Sequence, residues 1–468
     1  MKYRLKIYEF LLGVALLSLT GCGGSTGMIP APNPPPAVHN EWTWMGGNSP
    51  ANYGTLGQPA ASNLPPVRSY AATWTNASGN VWLFGGNYGE IGSGLINSNG
   101  QINRTYADYN DLWRYAGGEW TWMGGAQSTT PTQQPGVYGA QGQPSSNNLP
   151  GSRHSAVTWV DAQGNFWLFG GIGIDSTGTQ GDLNDLWEYS NGEWTWIAGA
   201  NVIDKSGVYG TQSTPASDNA PGSRDSAVGW ADAQGNLWLF GGWGNDSASH
   251  YCYNNVEKIC LLNDLWKFAN GQWTWIAGSN VANQPDVYGT QGTANPNNFP
   301  GARMNSTVTV DAAGNVWLFG GTTWTEGLND LWKYAGGEWT WVSGSNTANQ
   351  KGEYGILGVP AASNAPGARV SGAAWTDASG NLWLLGGAGL DTQGSAGSLN
   401  DLWRFSGGRW TWMDGSDLVG SPGSYGALGV AAPSNEPPAR YGASAWTRSD
   451  GSLWLFGGGF NDLWEYQP

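Results

Sequence analysis

The sequence predicts an all-β propeller of six blades, each blade a sheet of four antiparallel strands. Three observations predict it. A multi-element unit recurs six times along the chain. Aromatic side chains are abundant, with 31 Trp, 19 Tyr and 11 Phe. Glycine supplies 75 of the 468 residues, which suits many short strands joined by tight turns. Charged residues make up only 11% of the chain, a composition that excludes coiled coils and long solvated helices. The aromatic content equally excludes disorder.

The first element is not part of the array. Lys2, Arg4 and Lys6 precede an apolar run over 10–19, the pattern of a signal peptide and too short to span a bilayer permanently. Leu19-Thr20-Gly21-Cys22 follows and resembles the bacterial lipobox, which implies cleavage before Cys22 and lipidation of its sulfur. Each methylene of an attached acyl chain contributes roughly 0.8 kcal/mol of membrane affinity, so several chains make release slow. The expected organisation is a signal peptide over 1–21, a lipidated Cys22 with a Gly- and Pro-rich tether over 22–40, and the propeller over 41–468. The Pro-rich run over 30–36 makes that tether semi-extended. Gly23 after Cys22 resembles lipoproteins sorted to an outer membrane, so the expected location is the bacterial envelope, on its periplasmic side or at the cell surface.

The repeats supply the strands. Asn-Asp-Leu-Trp occurs six times, with Trp113, Trp187, Trp266, Trp332, Trp403 and Trp464. Trp-Thr-Trp also occurs six times, from Trp42, Trp120, Trp194, Trp273, Trp339 and Trp410. Trp-Leu-Phe-Gly-Gly recurs six times between Trp82 and Trp454, with Leu385 replacing Phe once, and an Arg precedes each copy. In the second copy, residues 153–160 form the first strand and Asp161 to Asn165 turn the chain. Phe166 to Phe169 form the second strand, stopped by Gly170-Gly171. Leu186 to Tyr189 form the third, and Trp194-Thr195-Trp196 the fourth, both indoles on one face because strand side chains alternate. The array begins with a fourth strand (Trp42-Thr43-Trp44) and ends with a third, so the N-terminal strand should complete the last blade and close the ring.

The apolar strand ending in Gly-Gly, the downstream Asn-Asp-Leu-Trp and the later Trp together resemble the kelch repeat, over about nine-tenths of the chain. One departure is that small residues such as Ala156 and Ala227 stand where many kelch units carry a His. The resemblance implies a family that includes galactose oxidase and a periplasmic sialic-acid epimerase. A galactose-oxidase-like copper site would need two His, two Tyr and a Cys. Of the three His, His39 lies in the tether, and His154 and His250 do not match such a site residue by residue. No cofactor and no metal are expected. Tyr70 and Tyr441 flank Arg68 and Arg440, the one hint of a sialidase-like Arg cluster at the channel mouth.

Antiparallel connectivity places the short 1–2 and 3–4 turns at one end of the blades. The 2–3 loops and the 4–1 crossings share the other end, which holds nearly all the extra length, and binding residues favour such loops. The crossings repeat a Tyr-Gly pair (Tyr53, Tyr138, Tyr209, Tyr288, Tyr354, Tyr425), which reads as packing between blades. Arg68, Arg153, Arg224, Arg303, Arg369 and Arg440 start their strands at the same end as the Asp of Asn-Asp-Leu-Trp. A structural ion pair is expected there, with a ring of free arginines at the channel mouth as the alternative.

The 2–3 loops differ from blade to blade: 87–109 in the first, 243–262 in the third, and only Gly459-Phe460 in the last. Only Trp243 and Trp324 of the 31 Trp fall outside repeat positions. They could stack on a sugar or anchor a partner, or fold back on their own blades. With Tyr88, Tyr251 and Tyr253 they are the candidate ligand-binding residues. Cys252 and Cys260, close together in one inserted loop, are expected to form a disulfide worth roughly 2.5 kcal/mol. The formal net charge of −15 disfavours nucleic acid. The expectation is a monomeric, non-catalytic module recognising glycan or protein, touching the membrane only through its lipid. The alternative is a carbohydrate-active enzyme, an epimerase or sialidase, with its site at the channel mouth.

Overall fold

In the computed structural model, residues 40–88, 107–248, 260–323, 325–448 and 450–468 are described. They form six antiparallel sheets and no helix. Each sheet is one four-stranded blade, ordered innermost to outermost as the chain runs. Blade 2 shows the plan: an inner strand in two pieces (Arg153–His154 and Val157–Val160), then Phe166–Ile174, Gln180–Ser190 and Glu193–Ala198. The sixth blade joins the two ends of the described chain. Its sheet runs Ala443–Thr447, Leu453–Gly457, Leu463–Gln467, and then Glu41–Gly46 as the outermost strand. Trp42 pairs with Tyr466 and Trp44 with Trp464, as the circular shift of the repeats predicts. Blades 1 to 5 follow in chain order, and the inner strands of neighbouring blades touch in a closed ring.

The core is six slabs rather than one centre. Each slab fills the space between two adjacent blades, as with Trp113 and Trp120 of blade 1 against Trp454 and Phe456 of blade 6. Within a blade, the first indole of Trp-Thr-Trp meets the Asn-Asp-Leu-Trp indole edge-on, as in Trp187–Trp194 at 6.4 Å. The second indole meets the crossing tyrosine edge-on, as in Tyr138–Trp196 at 5.2 Å. Edge-to-face aromatic pairs each add about 0.5–1.5 kcal/mol beyond the area they bury.

Every outermost strand would expose an unpaired edge, and the crossings cover it. The crossing that enters a blade first runs along that blade's outer strand, through the bridges Ala60↔Trp120, Ser145↔Trp194 and Ala361↔Trp410. Each blade is thereby protected from edge-to-edge association.

Two local expectations change. In blades 2 to 5 Gly-Gly does not stop the second strand, whereas in blades 1 and 6 that strand ends at Phe84 and Gly457. Where it runs on, pairing continues through Gly-Gly at a bulge, with the register shifting between Phe169 and Gly171 and between Leu385 and Gly387. Both glycines take positive φ, 63° at Gly170 and 89° at Gly171, which a bulge requires and other residues resist. The next blade also presses against the glycines: the Gly86 amide donates to the Arg153 carbonyl at 2.8 Å. Past the bulge, the hairpins of blades 2 and 5 rise as strands of nine and eleven residues. The second change is a break in the inner strand two residues after the Arg, for the reason given below.

Candidate functional site

The long-loop face is organised by six copies of one buried clamp. In blade 2 the Asp185 carboxylate accepts from Arg153 Nη1 at 2.7 Å and Nη2 at 2.8 Å. Tyr138 Oη and Trp187 Nε1 donate to the same carboxylate, both at 2.7 Å. Arg153 completes its donors on the backbone, Nη1 to the Gly170 carbonyl at the bulge and Nε to Gly151. The same set recurs as Arg68–Asp111, Arg224–Asp264, Arg303–Asp330, Arg369–Asp401 and Arg440–Asp462. Tyr53, Tyr209, Tyr288, Tyr354 and Tyr425 supply the phenols. Burial alone would lower the Arg153 guanidinium pKa, but the Asp185 carboxylate outweighs it and the value is raised. Burial and the neighbouring Asp185 likewise push the Tyr138 phenol well above its ordinary range. The arginines are therefore scaffold and present no free positive charge at the channel mouth.

Below the clamps lies a feature that sequence reasoning missed. Tyr70, Ser155, Ser226, Asn305, Ser371 and Gly442, each two residues after its Arg, all have φ between 53° and 63°. Their peptides close a ring around the channel axis. The Ser155 amide donates to the Tyr70 carbonyl, Ser226 to Ser155, Asn305 to Ser226, Ser371 to Asn305, Gly442 to Ser371 and Tyr70 to Gly442, all within 2.8–3.1 Å. A left-handed conformation costs a non-glycine residue about 1–2 kcal/mol, and only Asn305 and Gly442 are types that favour it. The only trace in the sequence is the small size of the next residues, such as Ala71, Ala156 and Ala227, which line the channel with the ring. Tyr70 lies across the channel: a side chain on Gly442 would strike its ring, and its Oη is 3.2 Å from Ser371 Oγ of blade 5.

Above this plug, the face carries two polar groupings. His154 Nδ1 lies 2.8 Å from Asp108 Oδ1, both buried, with the Tyr70 ring 6.4 Å from the imidazole. Gln180 on the tall hairpin of blade 2 reaches the other Asp108 oxygen at 3.4 Å. The second grouping is a cleft of about 200 Å³ between blades 6 and 1, lined by Ser69, Asn87, Tyr441 and Phe460 among others. Its floor holds the Arg68 and Arg440 clamps, their guanidinium faces 4.5 Å from the rings of Tyr109 and Phe460.

The candidate ligand-binding residues fare differently. Trp243 is not a loop residue. It lies in the strand Leu237–Gly244, pairs with Asp225 and Leu261, and is 4% exposed against Leu261 and Ala302. The strand continues past Gly241-Gly242, and this is what folds the indole into its own blade and removes it as a ligand platform. Tyr88 is 49% exposed on the long-loop face. Cys260 is buried and disulfide-bonded. Trp324, Tyr251, Tyr253, Cys252 and Cys22 lie outside the described residues. Among the described residues no cluster of His, Cys, Asp and Glu has a metal-holding arrangement.

No protein-family model matches the chain, and no curated protein matches it. Among solved structures it is similar to one titled "Structure of YjhT", with a TM-score of 0.48 and 16% identity, covering 86% of this chain and 95% of that one. It is also similar to a novel fungal alcohol oxidase of the AA5 family in complex with copper, with a TM-score of 0.44 and 13% identity, covering 89% of this chain and 77% of that one.

Proposed function

We propose that the chain is a kelch-type binding module, carried at the bacterial envelope on lipidated Cys22, that recognises a glycan or protein ligand through its long-loop face. One observation carries this reading. All six arginines, their aspartates and the crossing tyrosines are locked in buried clamps, so the repeated polar residues are scaffold. What differs between blades is the height and polarity of the 2–3 hairpins, and specificity requires such differences. A glycan array and a pull-down with the full chain, repeated with Tyr88→Ala, test it. Ligand capture weakened by that change, without turnover, supports recognition.

A second reading is favoured by the buried His154–Asp108 pair beside Tyr70, the one acid–base pair of this kind at the channel mouth among the described residues. It makes the chain a carbohydrate-active enzyme. Turnover of a captured sugar, abolished by His154→Gln while capture persists, would establish that reading in place of the first.

A further inference from the structure

The cleft between blades 6 and 1 owes its existence to uneven hairpins. Blade 5 rises on one side with Leu382–Leu390 and Ala396–Ser406, which brings Ser398 to the cleft. Blade 6 turns back at once through Gly458, Gly459 and Phe460. Among the described residues nothing lies within 4 Å of where a side chain on Gly459 would start, so the described wall is open there. Blade 1 closes the other side with Ser69 and Asn87, held together by a pair of backbone hydrogen bonds at 2.9 and 3.1 Å.

Asn87 stands out in this setting. It is 2% exposed, and its side-chain Oδ1 has no hydrogen-bond partner among the described residues. Buried amides normally have partners, and one without them calls for an explanation, such as a bound water, ion or ligand group. Asn63, Asn364 and Asn435 also bury an amide oxygen without a donor. Those three share one repeat position, and their oxygens rest against Gly54, Gly355 and Gly426 as a packing contact. Asn87 belongs to no such set. The residues following Gly-Gly in the other blades are Ile172, Trp243, Thr322, Ala388 and Gly459.

The rest of the lining defines the ligand. Ser69 and Ser398 add hydroxyls, and Phe460 adds an apolar face. Arg68 and Arg440 are each neutralised by a bidentate carboxylate, so the described lining offers no net charge to an anion. Its volume of about 200 Å³ is below the roughly 300–1,000 Å³ typical of drug-sized sites, enough for one ring and not for an oligomer. We propose that this cleft binds a neutral, hydroxyl-rich group the size of one pyranose ring, with the Asn87 amide as its polar anchor. The assignment rests on the recognition reading above and gives it a place and a ligand chemistry.

The test is calorimetric titration of the full chain with D-galactose, D-glucose, D-mannose and N-acetyl-D-glucosamine, with their methyl glycosides, and with N-acetylneuraminic acid. At least one neutral sugar is expected to bind. Binding of the glycoside as well as the free sugar assigns a glycan end, and binding of the free sugar alone assigns a monosaccharide. Asn87→Leu should weaken that binding at least tenfold without lowering the unfolding midpoint, because it removes an unpartnered acceptor. Ser398→Leu, which fills the cleft from blade 5, should weaken it similarly. The proposal is overturned if no neutral sugar binds, if both variants bind like the parent, or if the anionic sugar binds best. Capture of another ligand weakened by Tyr88→Ala but untouched by Asn87→Leu would leave the recognition face standing and remove the cleft. A chain that captures nothing would remove both.

Discussion

Replacing Asp185 by Asn tests whether the clamps hold the blades together. The substitution keeps the shape of the side chain and removes its charge. Arg153 and Asp185 are 1% and 0% exposed, so the guanidinium would remain buried with no counter-ion. The new amide nitrogen would also face donors, since Arg153, Tyr138 and Trp187 all donate to this carboxylate. Removing one partner of a buried pair costs about 3–5 kcal/mol. Against a total stability on the order of 5–15 kcal/mol, that is a third or more of what keeps the protein folded. The exposed pair Lys351–Glu353, 3.5 Å apart with side chains 54% and 58% exposed, is the control. Its removal should change stability by less than about 1 kcal/mol. The measurement is urea unfolding at pH 7, followed by circular dichroism and tryptophan fluorescence. A cycle of Arg153→Met, Asp185→Leu and the double variant should show coupling above about 2 kcal/mol, because each single change strands the other residue. Additivity within about 0.5 kcal/mol, or an Asp185→Asn loss below about 1 kcal/mol, would refute the clamp as a structural element.

Trp42 is 1% exposed in the strand that closes the ring, so Trp42→Ala should cost about 3–5 kcal/mol in the same assay. Deleting residues 41–45 should remove the sixth blade's cooperativity altogether, seen as early hydrogen exchange in Leu463–Gln467, its pairing partner. Ser155, at φ 53°, should tolerate Gly, whereas Ser155→Val should lower stability by about 1–2 kcal/mol relative to Gly because β-branched residues resist that conformation. Asp414 has its pKa raised from 3.8 to about 6, chiefly by burial. The folded state therefore holds that proton more tightly than the unfolded state, and stability from this group is present near pH 4 and lost as pH rises through 6. Asp414→Asn should raise the unfolding midpoint at pH 7 and have no such advantage at pH 4. An equal effect at both pH values would contradict the assignment.

The blades were legible because each is local in sequence. Strand, turn, strand and Trp-Thr-Trp follow within one unit, and six copies leave little room for another architecture. The pairing of Arg with the Asp of Asn-Asp-Leu-Trp was also legible, since both begin strands at the same end. Trp243 was misplaced for a specific reason. Gly-Gly signals a stop in a linear reading, while in the fold it permits a bulge and the strand runs on. The cleft could not be read at all, because Asn87 and Ser398 are far apart in the chain and meet only across a shortened hairpin on the blade between them.

The sequence by itself determined the number of blades, the four strands of each, the closing role of the N-terminal strand and the scaffold role of most Trp residues. All of these follow from repeated local patterns of side-chain alternation and turn chemistry. The tertiary structure alone decided the ring of six left-handed residues, the Tyr70 plug and the unpartnered amide of Asn87. These depend on contacts between blades, where ring closure brings one peptide from each copy to a common axis. A residue such as Ser155 is held there against its own local preference, because its amide bonds to Tyr70 of one neighbouring blade and its carbonyl to Ser226 of the other.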